Sequence, residues 1–169
     1  ADHVPARMNL GAVMLNVRDY PESLKHFQRV MKLEPDNTEA KISVAVAKRS
    51  MGELEAARTI YDQILDDQPE HAKVHFNLAV LEHEHLARNA SKGIGRGQAP
   101  SDPVAQMGWT IENMQAAIDH YKKAVEYYRN FLAYVGEGNP GARKEANERL
   151  GEVDKLIETT SQQIPTPRQ

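Results

Sequence analysis

The stretch Asn9–Pro35 reads NLGAVMLNVRDYPESLKHFQRVMKLEP, and its landmarks recur thirty-four residues later. Ser23 falls on Ala57, Phe27 on Tyr61, Val30 on Ile64 and Pro35 on Pro69. A period of that length, with a small residue four before an aromatic one and a closing proline, predicts a helix–turn–helix unit repeated along the chain. Inside the quoted stretch, Leu10, Val13, Met14 and Val17 recur at helical spacing, which predicts a first helix over Ala6–Val17. Gly11 lets a second helix cross closely, because its side chain is absent. Asp19 is the expected N-cap of the next helix and Pro21 is tolerated in its first turn. That helix, Glu22–Leu33, is expected to bury Leu24, Phe27, Val30 and Met31, and Asn37 or Thr38 to cap the helix after it.

Working outward, the second repeat holds Ile42, Val44, Ala45, Val46 and Ala47 in its first helix and turns at Met51–Leu54 into a second helix over Glu55–Asp66. Ala72–Ala79 opens a third first helix. Its expected partner, beginning at Met114, arrives 26 residues late, so residues 88–113 read as an insert. The glycines of Ser91–Gly97 and the prolines of Pro100–Pro103 predict an exposed loop, with Val104, Met107, Trp109 and Ile111 in its second half. The late helix runs on through Val125, Tyr128, Leu132 and Val135 and stops at Gly136–Gly138. After Asn139–Pro140 a last helix carries one apolar face, Ala146, Leu150, Val153 and Ile157, with charge elsewhere, as a capping helix does at the end of a repeat array. Residues 164–169 read as a tail.

These residues resemble the tetratricopeptide repeat (TPR) family. Ala45 stands where the family has its glycine, and Lys41 where it prefers tryptophan. The resemblance implies an all-α solenoid, a right-handed superhelix of three helix pairs plus a capping helix. It is expected to form one domain over residues 1–163, with repeats at 4–37, 38–71 and 72–135 and the cap at 139–163. It further implies a non-catalytic interaction scaffold whose first helices line a concave groove for a peptide or amphipathic helix. By helical spacing that face takes Met8, Ala12 and Leu15 from repeat one and Ile42, Val46 and Arg49 from repeat two. Repeat three contributes Lys73, Phe76, Asn77, Val80 and His83. Some family members grip a chaperone's C-terminal carboxylates there; of the corresponding Met8, Ala12, Ser43, Lys73 and Asn77 only Lys73 matches, so that clamp is absent. The groove is mostly apolar and needs a cover. Residues 72–158 are also similar to TPR proteins of bacterial envelope machines serving type IV pili and gliding motility. That similarity implies, as an alternative, an assembly subunit that uses convex or end surfaces.

The remaining chemistry is sparse. Net charge is -3 and mixed along 169 residues, which offers no attraction to nucleic acid, and no apolar run is long enough to span a bilayer. Cysteine is absent, so disulfides, thiolate metal sites and cysteine nucleophiles are excluded. Compartment stays open between cytoplasm and bacterial periplasm, and oligomeric state is open. Because Ala1 runs almost directly into a repeat without an initiator methionine, the chain reads as a piece of something longer. His71 and His75 sit one helical turn apart and could chelate a metal, but the zinc-protease pattern HExxH is missing, and surface or groove histidines without metal are the expectation. Gly93–Gly97 has neither a preceding strand nor the Lys-Ser/Thr of a phosphate loop. No motif activates a nucleophile or tunes an acid, so neither catalysis nor a cofactor is expected.

For the insert two readings stand open. Met107, Trp109 and Ile111 could dock on the groove around Phe76 and Val80 and regulate it. Alternatively, residues 104–111 begin the next helix early and Trp109 packs on its own repeat.

Overall fold

A computed structural model describes residues 3–165, which are helical with no strand among them. The sequence reading treats residues 1–163 as one domain; the chain groups into two compact units, one up to Val74 and one from His75.

The first unit holds α1 (Val4–Asn16), α2 (Tyr20–Leu33), α3 (Thr38–Ser50) and α4 (Leu54–Asp67), each packed on the next. The caps are those the sequence predicts. Asp19 Oδ1 accepts from the Glu22 N–H at 3.2 Å, and Asn37 Oδ1 accepts from the Ala40 N–H at 2.9 Å. The period appears directly as burial: Ser23, Phe27 and Val30 on α2, and Ala57, Tyr61 and Ile64 on α4, are all buried. Gly11 is buried where α1 crosses α2. A Cβ built there would stand 2.5 Å from the Phe27 ring. Its carbonyl accepts a 2.8 Å bond from the Ser23 hydroxyl, which satisfies that buried polar group.

Element starts differ from expectation by one or two residues: α1 begins at Val4 rather than Ala6, α2 at Tyr20 rather than Glu22, and α4 at Leu54 rather than Glu55. The turns explain two of these shifts. Arg18 (φ 65°) and Gly52 (φ 84°), thirty-four residues apart, each take a left-handed conformation that reverses the chain so tightly that the next helix starts at once. Repeat two uses glycine there, and repeat one forces an arginine into it.

The second unit opens along α5 (Ala72–Val80), which passes through a π-helical stretch (Leu81–Leu86) into α6 (Ala87–Ser91). Backbone angles at Val80, Leu86 and Ala87 stay in the right-handed helical region, so the wide turn does not interrupt the helix. Here the insert boundaries need correction. Helix continues to Ser91, past the expected break at Arg88, and α7 starts at Pro103, not Met114, running unbroken to Tyr134. The physical cause is a helix-start signal. Asp102 Oδ2 accepts from the Ala105 N–H at 2.8 Å, and Pro103 takes the first helical position, where its missing N–H costs nothing. Only residues 92–102 remain as loop.

Helix α7 packs on α6, on the π-helical stretch and on α8 (Pro140–Gln163). Gly136 (φ 68°) ends α7, and Asn139 Oδ1 caps α8 at the Ala142 N–H. Arg143 of α8 donates to the Leu132 carbonyl at 2.7 Å and ties the two helix ends together. Ala146 and Val153 are fully buried along α8, while Leu150 and Ile157 are half-buried. The expected tail begins at Ile164, and its residues from Thr166 lie outside the described ones.

Candidate functional site

The first-helix face has a separate account in each unit. In the first, α1 and α3 lie against each other. Their outward residues are apolar and accessible: Ala12 is exposed, and Met8, Leu15 and Val46 are half-buried, with Arg49 half-buried beside them. Lys73 is exposed and bonds Glu39, so a charged pair stands on the same unit. Ile42 departs from the expected set. At 1% exposure it belongs to the core of α3 together with Ala40, Val44, Ala45 and Ala47, and a partner cannot reach it.

In the second unit the expected face is largely covered. Asn77, Val80 and His83 are buried. Phe76 sits edge-on to Tyr128 and Phe131 of α7, with ring centroids 5.8 and 5.1 Å away. The Arg149 guanidinium of α8 lies 5.7 Å above the Phe76 ring, and Arg149 also bonds Glu84 and, at 3.1 Å, Glu145. The reason is architectural: α7 and the capping helix α8 supply aromatic and cationic side chains that cover this face. Burial lowers the pKa of Arg149, but the bond to Glu84 and the neighbouring Tyr128 outweigh it, and the net direction is up. Arg149 therefore stays charged throughout the ordinary pH range.

His83 packs edge-on to Tyr121 and Tyr128, at 6.1 and 6.4 Å. Burial lowers its pKa, opposed by the Glu152 and Glu84 carboxylates and assisted by Arg149 and Arg88. Burial likewise pushes the Tyr128 phenol up to about 12. Both the histidine and the tyrosine shift follow chiefly from enclosure between helices.

Glu82 is 0% exposed and bonds His120 Nδ1 at 2.6 Å, a pairing that sequence reasoning did not anticipate. A buried carboxylate without such a partner would be strongly unfavourable, so this pair fixes the π-helical turn onto α7. The signal was a Glu and a His at opposite ends of what read as an insert, and nothing in their spacing reveals that the two helices meet. His75, one helical turn from His71 in the sequence, lies beside Tyr127 and Tyr134 with ring centroids 6.0 and 5.3 Å away. Among the described residues no three His, Cys, Asp or Glu side chains gather as metal ligands.

Of the two readings of the insert, the early helix is the arrangement found. Trp109 lies on α7 with its indole over Gly93, where a Cβ would stand only 2.2 Å from the ring. Gly93 is free to accept this because it has no side chain and takes φ 67°. Arg96 locks the same loop down, donating to Asn113 Oδ1 at 3.0 Å and to Glu112. Trp109 also sits nineteen residues before Tyr128 on one helix, about 28 Å along its axis, which separates it from the Phe76 cluster.

With this geometry in view, the tetratricopeptide repeat profile matches residues 2–80. Residues 2–80 belong to the tetratricopeptide repeat family. The TPR segment thus takes in the first two repeats and the opening helix of the third, and α7 and α8 continue the all-helical pattern beyond it. Over 140 residues the chain is 24% identical to the protein CTR9 homolog of Arabidopsis thaliana. That alignment takes in 80% of this chain but 11% of the plant protein, so the chain spans a small part of its relative's length. TPR domains typically serve protein–protein interaction and not catalysis. No helix among the described residues is long and apolar enough to cross a membrane.

Proposed function

We propose that the chain is a non-catalytic scaffold that takes a peptide or an amphipathic helix of a partner protein on the first-helix face of repeats one and two. The observation that carries this is the contrast within that face. Met8, Ala12, Leu15 and Val46 are apolar and accessible, whereas Val80 and His83, the repeat-three counterparts of Ala12 and Leu15, are buried within the chain's own fold. An accessible apolar strip rimmed by Arg49 and by the Lys73–Glu39 pair suits a partner with an apolar stripe and mixed polar edges. Substituting Ala12→Arg and Leu15→Glu tests it, because Ala12 is exposed and the helix can carry both changes. The scaffold reading expects capture of the partner from cell extract to fall at least tenfold with helix content unchanged. Undiminished capture by the folded variant overturns it.

A second reading, an assembly subunit working through its end surface, has its own observation. Leu10 and Val13 of α1 and Val17, the residue just past its end, form one stripe with exposures of 46%, 52% and 66%. The repeat-two equivalents of the first two, Val44 and Ala47, are 3% and 0% exposed on α3, the helix that packs on α2. The stripe thus has the chemistry of a repeat-stacking surface, and Val13→Glu separates this reading from the groove.

A further inference from the structure

A stripe of seven-residue period runs the length of α7. Val104, Ile111, Ile118 and Val125 form one line, and Met107, Met114, Tyr121 and Tyr128 the other. This is the spacing of a helix that expects company along one seam. From Ile118 onward the seam is closed: Ile118, Tyr121, Val125 and Tyr128 are 0–8% exposed, against the π-helical stretch, α6 and α8. Before Ile118 it is open. Val104 is 81% exposed and Met107 59%, with Ile111 and Met114 half-buried. A cleft of about 320 Å³ lies beside this open half, lined by Met107, Ile111 and Met114 of α7 and by Gln163 and Pro165 at the end of α8.

We propose that the open half of the α7 seam pairs antiparallel with the same stretch of a second copy of the chain. Three observations favour a copy of itself over another occupant. First, the open stripe continues an established helix–helix interface in the same register, so a helix is the element that fits it. Second, the stripe is self-complementary when reversed about its midpoint: Val104 meets the partner's Met114, and Met107 meets the partner's Ile111. Each β-branched residue thereby faces a methionine, whose unbranched chain adapts to an uneven gap and can enter the cleft. Third, the residues on either side of the stripe, Pro103, Gly108, Thr110 and Gln115, carry no charge, and the nearby Glu112 is paired with Arg96 of its own chain, so two copies meet without like-charge repulsion. Gly108 has open space around it, which allows the helix axes to approach closely.

The stripe spans eleven residues, about 15 Å of helix, well short of the roughly 20–30 residues a side of a standard interface. The dimer is accordingly weak and forms at high concentration. It uses a different element from the proposed peptide face, so the two proposals stand or fall separately.

Sedimentation velocity from ~10 μM to ~1 mM tests it on the whole chain, wild type beside Met107→Glu, with circular dichroism as the control for folding. Met107 is exposed enough for the charge to leave the monomer intact. The proposal expects the weight-average mass of the wild type to climb toward twice the monomer value and that of the variant to stay at the monomer value. It also expects a mixture of Met107→Cys and Ile111→Cys chains to oxidise to a mixed disulfide dimer faster than either forms alone. A wild type that stays monomeric at ~1 mM overturns it, as does a Met107→Glu chain that self-associates like the wild type.

Discussion

Gly11→Ala is the smallest change that reads the packing of the repeat. Two effects oppose each other at this site. Alanine is favoured over glycine inside a helix by about 1 kcal/mol, which on its own would stabilise α1. Against this, the new methyl group would stand 2.5 Å from Phe27 Cε1 and 2.8 Å from both Cδ1 and Cζ. Phe27 is 1% exposed and enclosed in the core, so relieving the contact requires the ring or the α1–α2 crossing to shift. Overpacking of this kind costs about 1–3 kcal/mol, so the net effect is a loss of roughly 1 kcal/mol. In a chain of this size that lowers the melting midpoint by about 2–4 °C. The same substitution in a Phe27→Leu background meets no ring and keeps the propensity gain, so its sign should reverse. Urea unfolding followed by circular dichroism on all four members of the cycle measures both. A stabilising Gly11→Ala in the wild-type background would refute the close-crossing argument.

Two single residues give further predictions. Arg18 occupies a left-handed conformation that its repeat-two counterpart fills with Gly52, and that conformation costs a non-glycine residue roughly 1–2 kcal/mol. Allowing for the greater unfolded-state freedom of glycine, Arg18→Gly should raise stability by up to about 1 kcal/mol in a urea titration, and a clear loss would contradict the strain reading. Burial holds the His83 pKa below its ordinary 6.5, so the unfolded chain binds more protons than the folded one just below that pH. The His83 contribution is fully present above about pH 6.5 and declines as pH falls toward the depressed folded value. His83→Phe should flatten that part of the stability profile, and an unchanged profile would remove His83 from the account.

The repeats were legible because their signal is local. A small residue at Ser23, an aromatic at Phe27 and a proline at Pro35, copied thirty-four residues on, encode one unit and its copy. Capping residues Asp19 and Asn37 encode where helices begin and accept the bonds expected of them, and Asn139, read as the start of the last helix, caps it in the same way. The start of α7 was equally local but ambiguous, since Asp102-Pro103 is both turn punctuation and a helix N-terminus, and the glycines just before it favoured the wrong sense. What stayed hidden was pairing across the insert. Glu82 with His120, and Phe76 with Arg149, join residues 38 and 73 positions apart, and no periodicity reports which helices will face each other. For the same reason helical spacing assigned Val80 and His83 to an open groove. Spacing identifies the face of a helix but not what α7 and α8 lay over it.

Amide hydrogen exchange of the chain, with and without the partner captured from its source cell, tests the scaffold claim most directly. The account predicts new protection along the accessible face of α1 and α3, around Met8, Ala12, Leu15 and Val46, with α7 and α8 unchanged. Protection confined to α7 and α8, or to the α1 stripe of Leu10, Val13 and Val17, with none at Ala12 and Val46, would contradict it.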